Sequence, residues 1–216
     1  MNVIAQPEKI QVQYHGYFAE PAFAVLGNPA TLYTHLLRQL RAFGATVDSL
    51  NINLAVLGDA NVTCALGPMG IVRVWINRLE VLMSNAQSEK DFTQVLTAAW
   101  SVLEDTDPSL RPVRHDIALA TWSRLQGEVY STFIQRFVNA PQTDATSGKP
   151  TIILRSTAGN SVLIDEAASI SEGLFLRSTL HLGVGEPNLD RLMTTFRELF
   201  GDQLKALGLE MALRLE

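Results

Sequence analysis

One order of elements occurs twice in this chain, and that repetition constrains the fold more than any single motif. In the first half, Ile10, Val12, Tyr14, Gly16 and Phe18 alternate with Gln11, Gln13, His15 and Tyr17, the period of a half-buried strand. Asn28-Pro29 opens a helix, with Asn at the cap and Pro in the first turn. Leu32, Leu36, Leu37, Leu40 and Phe43 fall on one face of it, and Gly44 ends it. INLAVL (52–57) and VTCAL (62–66) flank the turn formers Gly58-Asp59-Ala60-Asn61 and predict a hairpin. GIVRVWINRLEVL (70–82) predicts a third strand. A helix from Ser88, with Phe92, Val95, Leu96, Ala99 and Leu103 on its buried stripe, runs to Asp107-Pro108.

The order then recurs. Val113, His115, Ile117, Leu119 and Thr121 alternate with Arg114, Asp116, Ala118, Ala120 and Trp122. A short helix carries Tyr130, Phe133, Ile134 and Phe137, and the polar segment 140–150 predicts a loop. TIILRS (151–156) and SVLIDEA (161–167) flank Thr157-Ala158-Gly159-Asn160 as a second hairpin, and EGLFLRSTLHL (172–182) predicts a third strand. Asn188 caps a final helix with Leu192, Met193, Phe196, Leu199, Phe200 and Leu204 on its apolar side, ending at Gly208.

The fold class expected is α+β. A duplicated strand, helix, three strands, helix unit occupies residues 1–110 and again 111–216. The antiparallel sheets carry helices packed on one face, and the two halves form one compact pseudo-symmetric unit. This order is similar to that of duplicated saddle-shaped folds such as the TATA-box-binding proteins, an analogy of fold that implies no function. The layout also resembles an uncharacterised bacterial family whose mid-chain strand reads G-L-R-Y-I-N-R-I. The matching place here is Ala118-Leu119-Ala120-Thr121-Trp122-Ser123-Arg124-Leu125, where Leu119 and Arg124 agree. The resemblance implies no known activity.

Bulk chemistry narrows the partners. Net charge is -5 and the pI is near 5.4. A phosphate-binding surface usually needs a basic excess, so nucleic acid is disfavoured. The one cysteine, Cys64, excludes an internal disulfide and suits a reducing cytoplasm. The opening residues lack the basic-then-apolar pattern of a signal peptide, and no stretch approaches the ~18 apolar residues of a membrane span. A cytoplasmic protein is expected.

Catalytic and metal signals are missing from the spacing. His15, His35, His115 and His181 show no ligand pattern, and Cys64 has no neighbouring base. Arg114-His115-Asp116 cannot form a dyad within itself, since adjacent strand residues point to opposite faces. Gly183-Val184-Gly185 before Asn188 reads as a turn and cap rather than an anion site. Asp165-Glu166 and Glu104-Asp105 read as solvated ends. No catalytic residue, metal or cofactor is assigned.

The stronger signal is a face. Arg73, Trp75, Asn77 and Leu79 share one side of the first half's third strand, with Arg78 on the core side. Phe175, Arg177, Thr179 and His181 share one side of its counterpart, and Trp122 lies with Arg114 and Asp116. Exposed Trp and Arg together favour protein contact. The candidate binding face is therefore Arg73, Trp75, Asn77, Trp122, Phe175, Arg177 and His181. The function expected is a non-catalytic binding or protein-interaction module, through a protein partner or self-association as a homo-oligomer. The alternative is an enzyme with a polar site in the cleft between the halves, built from His115, His181, Asp165 or Glu166. A nucleic-acid-binding saddle would need Arg73, Arg114 and Arg177 to form a basic stripe.

Overall fold

The computed structural model describes residues 2–84, 89–137, 151–156, 159–183 and 188–211. The chain starts with the long strand β1 (Val3–Phe18), followed by helices α1 (Phe23–Gly27) and α2 (Pro29–Leu40). Four strands come next: β2 (Leu50–Asn53), β3 (Asn61–Ala65), β4 (Gly70–Trp75) and β5 (Arg78–Ser84), then helix α3 (Glu89–Thr106). A second long strand, β6 (Pro112–Gln126), leads to α4 (Tyr130–Ile134), β7 (Ile152–Arg155), β8 (Ser161–Glu166), β9 (Leu174–His181), α5 (Leu189–Ala206) and β10 (Leu209–Met211).

All ten strands form one sheet in the order β2-β3-β4-β5-β1-β6-β9-β8-β7, with β10 pairing β1. The class is α+β. Every contact is antiparallel except that of β10, which runs parallel to β1 at Val3–Ala5. The two halves of the chain meet at β1 and β6, whose register runs from Ile4↔Gln126 to Phe18↔Pro112. Pro7 has no N–H to give to a ladder, and the register of this central pair shifts between Pro7 and Lys9, as a bulge requires.

Strand alternation decides the two faces. Val12, Tyr14 and Phe18 of β1, Leu79, Val81 and Met83 of β5, and Ile117 and Leu119 of β6 are buried on one side. Leu174, Leu176 and Leu180 of β9 continue it. The helices cover this side: Trp100 of α3 meets Tyr14 edge-on, and Gln203 of α5 bonds Ser178 of β9. Asn28 caps α2 by accepting from the Thr31 amide, and Asn188 caps α5 through the Arg191 amide, as the sequence predicts.

Three sequence expectations need correction. GIVRVWINRLEVL is two strands, not one. Val74 pairs with Leu79, so Ile76 and Asn77 form a two-residue turn and β5 folds back on β4. Crossing a two-residue turn resets which side each residue faces. Leu79 therefore lies in the core, Arg78 is opposite Tyr17, and Asn77 is on the turn rather than the face. Second, the strand expected at 52–57 is Leu50–Asn53, and Leu57–Asp59 forms a short 3-10 turn. Third, Gly208 does end the helical region, but the chain continues into β10, whose three residues are too few to carry a period-two signal. The loop expected at 140–150, the start of the helix at Ser88, the Thr157-Ala158 turn and the Val184–Pro187 part of the glycine string lie outside the described residues.

The core holds one polar cluster. Trp100 Nε1 donates to the Tyr14 hydroxyl at 3.2 Å, and that hydroxyl lies 2.7 Å from His115 Nδ1. Burial pushes the Tyr14 phenol well above its ordinary value, so it remains a neutral group able to donate to the imidazole. Gly16, opposite His115, leaves the room: a Cβ there would come within 2.6 Å of both Trp100 Cζ2 and Tyr14 Oη. Gly16→Ala must displace both rings. It is expected to cost about 1–3 kcal/mol by overpacking, measured by urea unfolding; an unchanged midpoint would show that the cluster tolerates a methyl.

Candidate functional site

The buried side chains of the helices belong to the core on the first face, and on the other face the side chains fall into transverse rows set by strand register. One row runs Thr63–Arg73–Glu80–His15–Asp116–His181 across β3, β4, β5, β1, β6 and β9. Cations or imidazoles alternate with carboxylates along it. Cross-strand neighbours of opposite sign stabilise one another.

Glu80 is the centre of the first-half part of this row and is only 6% exposed. Trp75 Nε1 donates to its Oε2 at 2.8 Å, and Gln13 Nε2 to its Oε1 at 2.8 Å. Arg73 Nη1 is 3.4 Å from Oε2, and His15 Nε2 is 3.7 Å from Oε1. Arg73 also donates through Nε to Thr63 Oγ1 at 2.8 Å. Burial alone pushes the carboxyl up, but His15, Trp75, Gln13 and Arg73 outweigh it and hold it down to about 2. Glu80 is therefore an anion at neutral pH, and it fixes the orientation of Trp75 and Arg73.

The second-half part centres on Asp116. Its Oδ1 lies 2.6 Å from His181 Nδ1, and its Oδ2 lies 3.1 Å from Arg114 Nη2. The His181 amide donates to Asn160 Oδ1 at 2.8 Å. A neighbouring row pairs cations with rings. Arg78 lies over Trp75 at 4.5 Å, and Arg114 over Tyr17 at 3.9 Å from ring centroids. Farther along, Lys9 sits over Trp122, which packs on Phe175 at 4.9 Å. Arg177 reaches across to Gln13 Oε1 at 3.2 Å.

Six of the seven candidate residues therefore stand on this face: Arg73, Trp75, Trp122, Phe175, Arg177 and His181. Asn77 is on the turn, where it accepts from Arg78. Sequence reasoning missed Glu80 and His15 as the link between the halves. Their alternation was visible, but the register that brings them together depends on the Ile76-Asn77 turn and on the β1–β6 pair. The face is richer in cations (Lys9, Arg73, Arg78, Arg114, Arg124, Arg155, Arg177) than in carboxylates (Glu8, Glu80, Asp116, Asp165), although the whole chain carries net charge -5. Yet Glu80 and Asp116 interrupt the cations, so Arg73, Arg114 and Arg177 do not make a continuous basic stripe.

The residues expected to line a cleft are not brought together. β1 and β6 pair along their length, so the halves join edge to edge. His115 lies in the core on the side opposite His181, and Asp165 stands opposite Phe175, its Oδ1 accepting from the Glu166 amide. The Asp116–His181 pair is one that orients an imidazole as a base. It stands on an open sheet, with the backbone of Gly159 beside the ring. Asp105, of the other carboxylate pair, bonds Arg38 and Gln39. Burial pushes the Cys64 thiol up, against a weaker opposing contact from Ser49, which suits a packed thiol rather than a nucleophile.

No protein-family model and no curated protein matches the chain.

The Glu80 carboxyl is held from its ordinary 4.5 down to about 2 by its folded contacts. The stability this contributes is present above the ordinary value and is lost as pH falls from 4.5 towards 2. At 1.36 kcal/mol per unit it is on the order of 3 kcal/mol. Glu80→Gln should remove most of this acid dependence between pH 5 and pH 2, followed by urea unfolding at each pH. A variant with an unaltered pH slope would assign the dependence elsewhere.

Proposed function

We propose that this protein is a non-catalytic binding module whose open sheet face receives an acidic protein surface. The observation that carries the reading is the hydrogen-bonded row centred on Glu80 and Asp116. It spends buried carboxylates on holding Trp75, Arg73, Arg114 and His181 in fixed positions. Arg114, over the Tyr17 ring, and Arg177, bonded to Gln13, remain exposed, and preorganised Arg and aromatic groups are the usual energetic anchors of protein contacts. A partner presenting carboxylates to Arg114 and Arg177, and an apolar group to Trp122 and Phe175, would complement the face. The local cation excess on a chain of net negative charge would steer that partner to this side.

The same reading includes a duplicated unit. Read outward from the β1–β6 pair, the sheet passes β5, β4, β3 and β2 on one side and β9, β8 and β7 on the other, runs of four and of three consecutive strands. A relative whose two halves align with each other in sequence would establish the duplication, and relatives whose halves have unrelated strand orders would end it. Among the described residues no helix is long and apolar enough to cross a membrane. With one buried cysteine, this supports a cytoplasmic location, which fractionation of the native cells would test.

The binding reading is tested with a library of Asp/Glu-rich peptides containing Trp, Tyr or Leu. Binding by the full chain, weakened at least tenfold in the Arg177→Glu variant with unfolding unchanged, is the expected result. That factor corresponds to about 1.4 kcal/mol. No binding by the wild-type chain, or equal binding by the variant, would refute it.

A further inference from the structure

The two ends of the sheet are not protected alike. β7 is bracketed in sequence by Lys149-Pro150 and by Arg155, residues that discourage pairing with another strand. β2 has no such guard. From Ser49 to Gly58 the sequence is SLNINLAVLG, with no charge and no proline. β2 pairs with β3 on its inner side, and no described strand pairs with its outer edge. Beside that edge Ile52 is 41%, Leu54 46%, Val56 58% and Leu57 64% exposed. An uncharged edge strand with its apolar side chains in water is a template for strand addition.

We propose that β2 pairs antiparallel with β2 of a second copy of this chain, about a two-fold axis at Ile52. The sequence favours a second copy because the segment is complementary to itself. In that register Ile52 faces Ile52 of the other copy, Leu50 faces Leu54, and Asn51 faces Asn53. Apolar groups then meet apolar groups, and amides, which both donate and accept, meet amides. The nearest charges, Asp48 and Asp59, lie in the short 3-10 turns on either side of β2, so neither enters the paired segment although each copy carries net charge -5. Leu50 and Ile52 lie opposite Cys64 and Val62, so their side of the strand continues the core face. A two-fold axis perpendicular to the sheet is isologous and closes at a dimer. It leaves the open faces of both copies on the same side, unobstructed.

Sedimentation of the full chain at about 100 μM, where a micromolar contact is nearly saturated, tests this. The expected result is a dimer that Ile52→Lys and, separately, Leu54→Lys convert to monomer, with a melting temperature equal to that of the wild type when both are measured at a concentration too low for the dimer. Under a mild oxidant, Ile52→Cys should cross-link one copy to the other, and Val56→Cys, in the bend beyond the paired segment, should not. A monomeric wild-type chain overturns the proposal. So does a dimer that both lysine variants leave intact, or equal cross-linking at 52 and 56. Because β2 is remote from Arg114 and Arg177 in the sheet order, loss of the dimer leaves peptide binding by the open face unaffected.

Discussion

Everything in this fold depends on the pairing of two long strands, β1 and β6, drawn from opposite halves of the chain. Their hydrogen bonds turn two small sheets into one, and their register sets which residues stand opposite each other across it. His15 reaches the row only because it lies opposite both Glu80 and Asp116. The same pair brings Gly16 opposite His115 on the other face and so permits the Tyr14–His115 contact. A one-residue slip would exchange the two faces, sending Val12 and Tyr14 to solvent and Gln13 and His15 into the core. The polar row and the apolar core therefore enforce the same register from opposite sides.

The open face shows how polar groups can be buried without a helix above them. Glu80 loses water on becoming nearly inaccessible, a cost that would raise its proton affinity if it stood alone. Four neighbours reverse the outcome. Besides stabilising the fold, the carboxylate imposes order, since every partner must be held to satisfy it. Trp75 is thus locked in one orientation by a residue five positions along the chain, with an arginine against its ring.

Much of this was legible in the sequence, because alternation and helix caps are local. The strand positions of Val12 through Phe18, the caps at Asn28 and Asn188, and six of the face residues follow from period and spacing alone. What could not be read was whatever depends on a turn or on distant pairing. The turn at Ile76-Asn77 lacks the Asn-Gly or Asp-Gly signature of a tight hairpin, and it joins two runs whose apolar pattern looks unbroken. Missing it placed Leu79 and Arg78 on the wrong sides. The Asp116–His181 pair is separated by 65 positions, and no local rule could join them.

The small strand β10 has a consequence for how the chain acquires its structure. Ile4 and Ala5 are held between β6 on one side and β10 on the other, and their β10 partners are roughly two hundred residues away in sequence. During synthesis β10 is the last of these strands to leave the ribosome. The beginning of β1 must therefore wait, half-paired, until β10 has been made. Non-local pairing of this kind slows folding, because the entropy of closing the long loop is lost before the contact returns anything. Of these ten strands, the earliest made is the last to be completed.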